Sequence, residues 1–71
     1  MTERTVFHVV HTEKGWSLQP EEGRERMFFR SKEEAVQNGI AEARALEPAR
    51  LVIHREDGGI EEERSFGDPS A

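Results

Sequence analysis

The chain has 71 residues, of which 34% are hydrophobic and 35% charged, with no cysteine and a formal net charge of −5. That length makes one domain at most, and the missing cysteines exclude disulfides and thiolate metal sites. The acidic balance argues against duplex DNA or an anionic membrane as the main partner, since both reward positive surface, and no apolar run approaches the roughly 18 residues that span a bilayer.

The opening MTERTVF lacks the apolar stretch of a secretory signal, so a cytoplasmic protein is expected. RTVFHVVHT (Arg4–Thr12) is rich in β-branched and aromatic residues and predicts a strand. Glu13, Lys14 and Gly15 turn the chain. GWSLQ then alternates with period two, Trp16 and Leu18 on one side and Ser17 and Gln19 on the other, which predicts a second strand. PEEG is a turn, and RERMFFR (Arg24–Arg30) a third, shorter strand.

The period then changes. Ser31 is followed three residues later by Glu34, the pattern of a capping box, so a helix is predicted from Ser31 to about Glu47, ended by Pro48. At 100° per residue, Ala35, Val36, Gly39, Ile40, Ala43 and Leu46 fall within one arc. Gly39 inside that arc costs about 1 kcal/mol relative to alanine. A bulky sheet residue such as Trp16, pressed against the ridge of Ala35, Gly39 and Ala43, is the expected reason for it. ARLVIHRE predicts a fourth strand, DGG a two-residue hairpin turn and IEEERSF a fifth strand. The ordered core is expected over about residues 4–66, with 67–71 a loose tail.

The order β-β-β-α-β-β predicts a small single-domain α+β fold over residues 1–71: a largely antiparallel sheet with one helix packed on one face. A two-residue Glu13-Lys14 loop puts Phe7, Val9 and His11 beside Trp16 and Leu18. Val6, His8 and Val10 then face the other way. In the second hairpin, Leu51, Ile53, Ile60 and Phe66 are expected to face the helix, with Val52, His54, Glu61, Glu63 and Ser65 on the far side. A sheet face open to water normally reads polar. Val6, Val10 and Val52 around His8 and His54 therefore suggest a far face buried against a second copy of the chain.

The segments HVV (His8–Val10), GW (Gly15-Trp16), SKEEA (Ser31–Ala35), LVIH (Leu51–His54), DGGI (Asp57–Ile60) and SFGDP (Ser65–Pro69) occur in this order over nearly the whole chain. In combination they resemble domain-of-unknown-function family 2188, a family of small bacterial proteins. Where that family usually has a proline shortly after its first strand, this chain has His11-Thr12. The resemblance implies a bacterial source and a stand-alone small domain. It implies no activity and supplies no catalytic residue.

His8 and His54 could share a far-face site with Glu61 or Glu63, since histidine is the commonest ligand and base near neutral pH and a carboxylate would orient it. The plainer account is two partly buried strand residues, and it is preferred because no HxH, HxxxH or HExxH spacing occurs. Glu61, Glu62 and Glu63 alternate faces and form no carboxylate cluster, with Glu62 expected to pair with Arg55 or Arg64. DGG leads into a strand, not a helix, so it is no phosphate loop.

Two functional classes follow. The first is a non-catalytic, self-associating interaction or structural module, a homodimer whose interface contains Val6, His8, Val10, Val52 and His54. Acid is then expected to loosen the dimer unless Glu61 or Glu63 pairs with the imidazolium. The alternative is a small domain that binds single-stranded nucleic acid through Arg24, Arg26, Phe28, Arg30 and Lys32, basic residues interleaved with an aromatic ring. A charge-protected edge strand explains the same stretch. No catalytic set, cofactor or metal site is predicted.

Overall fold

The computed structural model describes residues 5–23 and 25–67. Five strands and one helix follow in the order β1 (Thr5–Thr12), β2 (Gly15–Pro20), β3 (Met27–Phe29), α1 (Lys32–Ala45), β4 (Ala49–His54) and β5 (Ile60–Phe66). The start of the predicted first strand at Arg4, the Arg24 end of the predicted third, and the tail from Asp68 onward lie outside the described residues.

The strands form one sheet in the order β3-β2-β1-β4-β5. It is mixed. Three pairs are antiparallel, but β1 and β4 at its centre run parallel. The parallel pair follows from the connection. The chain leaves the β3 edge, crosses one face as α1, and re-enters on the far side of β1, as a parallel neighbour requires.

The first hairpin has the predicted loop, with Thr12 opposite Gly15, Val9 opposite Leu18 and Phe7 opposite Pro20. Thr12 Oγ1 accepts the Lys14 N–H at 3.1 Å and donates to the Gly15 carbonyl at 3.2 Å, which closes the two-residue turn. Gly15 sits at φ +116°, and a Cβ there would lie 2.6 Å from the Phe29 carbonyl oxygen. This glycine therefore lets β3 pair with β2. β3 is only three residues long, shorter than the seven-residue RERMFFR predicted, and Phe29 and Met27 turn to the helix side opposite Trp16 and Leu18.

Ser31 is the N-cap of α1, with extended backbone, and its Oγ accepts the Glu34 N–H at 3.2 Å. Glu34 returns to the Ser31 hydroxyl (3.3 Å), a variation on the capping box in which it would accept the backbone N–H. The helix stops at Ala45, two residues short of the predicted end, with Leu46 as C-cap. Leu46 is consequently half-exposed and does not join the core. The rest of the predicted arc holds: Ala35, Gly39 and Ala43 are buried, and Val36 and Ile40 pack at the margin.

The three small residues lay the helix axis close to the sheet. Above them stand Leu18 and Leu51, not Trp16: a Cβ on Gly39 would meet Leu51 Cδ1 at 2.8 Å and Leu18 Cδ1 at 3.2 Å. Trp16 lies toward the helix start, with His11 at 4.9 Å between ring centroids and the Lys32 ammonium 5.6 Å above its ring. Phe7, Val9, Leu18, Ala49, Leu51 and Ile53 complete the core on this side.

The second hairpin departs from expectation. Arg55 N–H donates to the Gly59 carbonyl (2.7 Å) and Gly58 N–H to the Arg55 carbonyl (2.9 Å), with Gly58 at φ +97°. This is a three-residue loop ending in a left-handed glycine, where a two-residue turn was predicted. It shifts the pairing by one, so Ile60 stands opposite His54. A bulge then shifts it back, so Ile53 faces Glu62 and Val52 faces Glu63. Ile60, expected in the core, is instead half-exposed. Glu61, expected on the far face, reaches the helix side and accepts from Lys32 Nζ. Beyond the bulge the prediction holds: Phe66 packs on the core, Glu63 and Ser65 lie opposite Val52 and Arg50, and Arg64 Nε donates to Glu62 at 2.6 Å.

Candidate functional site

One helix covers one face of the sheet. The other face carries Val6, His8 and Val10 from β1, Arg50, Val52 and His54 from β4, Ser17 and Gln19 from β2, Phe28 from β3 and Glu63 from β5. All five residues predicted for the interface therefore share one surface. They are not equally open. Val52 is buried within the monomer at 5% exposure, while Val6, His8, Val10 and His54 are half-buried. Ile60 and Phe28, at opposite ends of the sheet, are the large apolar residues exposed near this face, at 53% and 49%.

The register explains how two residues 46 positions apart come together. In the parallel β1–β4 pair His8 is opposite Val52, so His54, two residues on, points to the same side as its diagonal neighbour. His8 Nδ1 lies 3.0 Å from His54 Nε2. The ring centroids are 5.2 Å apart, close to the contact distance plus the two ring radii. The facing nitrogens thus point at one another and do not converge on a third point.

Each ring is also held at its outer nitrogen. His8 Nε2 lies 3.1 Å from Glu21 Oε1, and His54 Nδ1 lies 3.2 Å from the Gly58 carbonyl oxygen. The carboxylate partner is therefore Glu21, not Glu61 or Glu63. Glu63 is engaged with Arg50 at 3.4 Å on the same face. The sequence does contain the signal. Continuing the Glu13-Lys14 hairpin past Pro20 brings Glu21 opposite Val6, and the Glu21 N–H indeed donates to the Val6 carbonyl at 2.8 Å. That places its side chain diagonal to His8 on the far face. The third loop residue of the second hairpin, Gly58, supplies the last acceptor.

Among the described residues of the basic stretch, Phe28 and Lys32 lie on opposite sides of the sheet. Arg24 lies outside the described residues. Arg26 and Arg30 are exposed. Phe28 faces the far side with the Lys14 ammonium 5.7 Å from its ring, whereas Lys32 sits on the helix side over Trp16 and against Glu61. Among the described residues no three His, Asp or Glu side chains are grouped to hold a metal ion, and no helix is long and apolar enough to cross a membrane. A cavity of about 460 Å³ opens on the helix side, its lining including Phe7, Leu18, Met27 and Leu46 together with Glu22, Glu25 and Glu42.

The chain belongs to the bacterial family described as "uncharacterized protein conserved in bacteria", domain-of-unknown-function family 2188, which it matches over residues 7–66. No curated protein and no solved structure matches the chain.

Proposed function

We propose that this protein is a non-catalytic, self-associating module, located in the cytoplasm, whose uncovered sheet face is the contact with a second copy. The observation that carries this reading is the asymmetry of the sheet: one face has a helical layer and the other has valines, an exposed phenylalanine and an exposed isoleucine. A two-layer fold buries one face of its sheet, and an apolar patch on the other marks an interaction surface. A second copy suits it because the face carries both signs of charge, Lys14 and Arg50 against Glu21 and Glu63, and a twofold axis sets such a mixed surface against itself. The short chain and its lack of disulfides favour the same economy.

The test is molar mass by light scattering and sedimentation. A dimer is expected for the wild type, and Val10→Asp with Phe28→Asp is expected to give a folded monomer. Val52 is unsuitable for that test because it is already buried within one chain. A wild-type monomer at millimolar concentration overturns the reading. If that monomer binds single-stranded oligonucleotides with an affinity that falls steeply with salt, the nucleic-acid alternative through Arg24, Arg26, Phe28, Arg30 and Lys32 takes its place.

A further inference from the structure

We propose that Glu21, His8 and His54 form a single proton-binding site, which takes up one proton and shares it between the two rings. The argument is a count of hydrogens. The chain of contacts runs from Glu21 Oε1 to His8 Nε2, from His8 Nδ1 to His54 Nε2, and from His54 Nδ1 to the Gly58 carbonyl. A carboxylate and a carbonyl stand at its two ends, and both only accept. Three hydrogen bonds need three hydrogens, yet two neutral imidazoles carry two. With two, one contact must fail. Either the facing nitrogens present lone pairs to each other at 3.0 Å, or one ring turns a bare nitrogen to an acceptor.

One added proton completes the set. The count is the same whichever atom carries it, because a protonated Glu21 would donate to His8 Nε2, leaving His8 Nδ1–H to donate to His54 and His54 Nδ1–H to the Gly58 carbonyl. A second added proton gives four hydrogens and sets two N–H groups head to head across the 3.0 Å gap. The chain therefore accepts one proton and resists another. The end-on approach of the rings suits a proton, whereas a metal ion bound by both would draw their lone pairs to a common point off the line between them. The other charged groups that face the pair do not alter the count. Arg50 and Glu63 are engaged with each other, and Asp57, in the loop after β4, accepts the Gly59 N–H at 2.9 Å. Among the described residues, Val6, Val10, Gln19 and Val52 are the strand neighbours of the rings on this face.

The site has a consequence for assembly, which rests on the self-association reading. Without the proton the cluster carries the Glu21 charge and a failed hydrogen bond. With it the cluster is neutral and every contact is made. A buried unsatisfied polar group is costly, so the closed face favours the protonated cluster, and by linkage association strengthens as pH falls. This is the branch in which a carboxylate pairs with the imidazolium, and Glu21 supplies that carboxylate.

The test follows the Cε1–H resonances of all three histidines by NMR through a pH titration, at a concentration low enough to keep the protein monomeric. His8 and His54 are expected to move in step, with ring 15N shifts reporting one proton for the two rings. In His54→Gln, and separately in the loop variant Glu21→Gln, that common step should be lost. Glu21 is 59% exposed, so the second variant keeps the fold if the first does not. Independent titration of His8 and His54 in the wild type, with His8 unaffected by either substitution, overturns the proposal. Sedimentation over the same pH range is the second arm. A wild-type association constant that rises about tenfold or more with acid, and does so less in Glu21→Gln, supports the linkage. A shared proton in a chain that stays monomeric supports the proton site and overturns the self-association reading.

Discussion

Replacing Gly39 tests the fold at its tightest point. Two effects compete. Alanine in a helix interior is favoured over glycine by about 1 kcal/mol. Against this, the new Cβ would stand 2.8 Å from Leu51 Cδ1 and 3.2 Å from both Leu51 Cδ2 and Leu18 Cδ1. These are the ends of side chains, but Leu51 is fully buried and Leu18 nearly so, with exposures of 0% and 2%. They have no open space to swing into. Overpacking of this kind costs about 1–3 kcal/mol, so Gly39→Ala should lie between neutral and about 2 kcal/mol destabilising. Gly39→Leu inserts three further carbons at the same point and belongs at or above the top of that range, a net loss of about 2 kcal/mol or more. For a domain of this size that is a fall in Tm of roughly 8–16 °C. Thermal and urea unfolding followed by circular dichroism reads it. Ala41→Gly on the exposed side of the helix serves as control and should cost only the propensity difference of about 1 kcal/mol. A double-mutant cycle with Leu51→Val should show Gly39→Ala better tolerated once both Cδ methyls are gone. An unchanged Tm for Gly39→Leu, or additivity with Leu51→Val, refutes the packing explanation.

Gly15→Ala should cost about 2 kcal/mol or more, because the residue combines a positive φ with a Cβ 2.6 Å from backbone that cannot turn away. Hydrogen exchange should show the loss first at Met27–Phe29, whose pairing with β2 depends on that approach. Ser31→Ala should cost about 1 kcal/mol through loss of the Glu34 N–H acceptor, read as a Tm lower by roughly 4–8 °C. Ser31→Asp, which restores an acceptor, should recover most of it.

Much of this architecture is legible in the sequence because local rules fix it. The Glu13-Lys14 loop and the alternation of Phe7, Val9, Trp16 and Leu18 set the first hairpin's faces, and Ser31 with Glu34 sets the helix start. What is not legible depends on contacts outside the local window. The parallel β1–β4 pair is a choice of strand order, and nothing within either strand encodes it. The three-residue loop was hidden because DGG also satisfies a two-residue turn, and the compensating bulge left Phe66 and Glu63 facing as expected while moving Ile60 and Glu61. The helix end failed for another reason. Pro48 sets only a latest stop, and the chain leaves the helix at Leu46 before reaching it. The histidine pair was legible as far as its face. Its carboxylate is not, because the alternating run GWSLQ closes at Gln19 before Pro20, and Glu21 lies beyond it.

The two faces of the sheet are under different constraints, and this yields a last prediction. On the helix side each residue is held by packing, and change costs stability. On the far side, strand propensity and the neighbouring valines favour more valine at positions 8 and 54. Imidazoles there must find partners for four ring nitrogens, and the described contacts satisfy them only when a proton is added. Replacing both members of a polar pair by apolar groups of suitable shape is often neutral or stabilising, whereas removing one strands the other. His8→Val with His54→Val should therefore hold or raise the stability of the monomer, while His8→Val alone lowers it by about 1 kcal/mol through the unpartnered His54. The double variant should also lose the common titration step. If the double variant is instead the least stable of the three, the pair is a packing element, and the fold rather than proton uptake accounts for its presence.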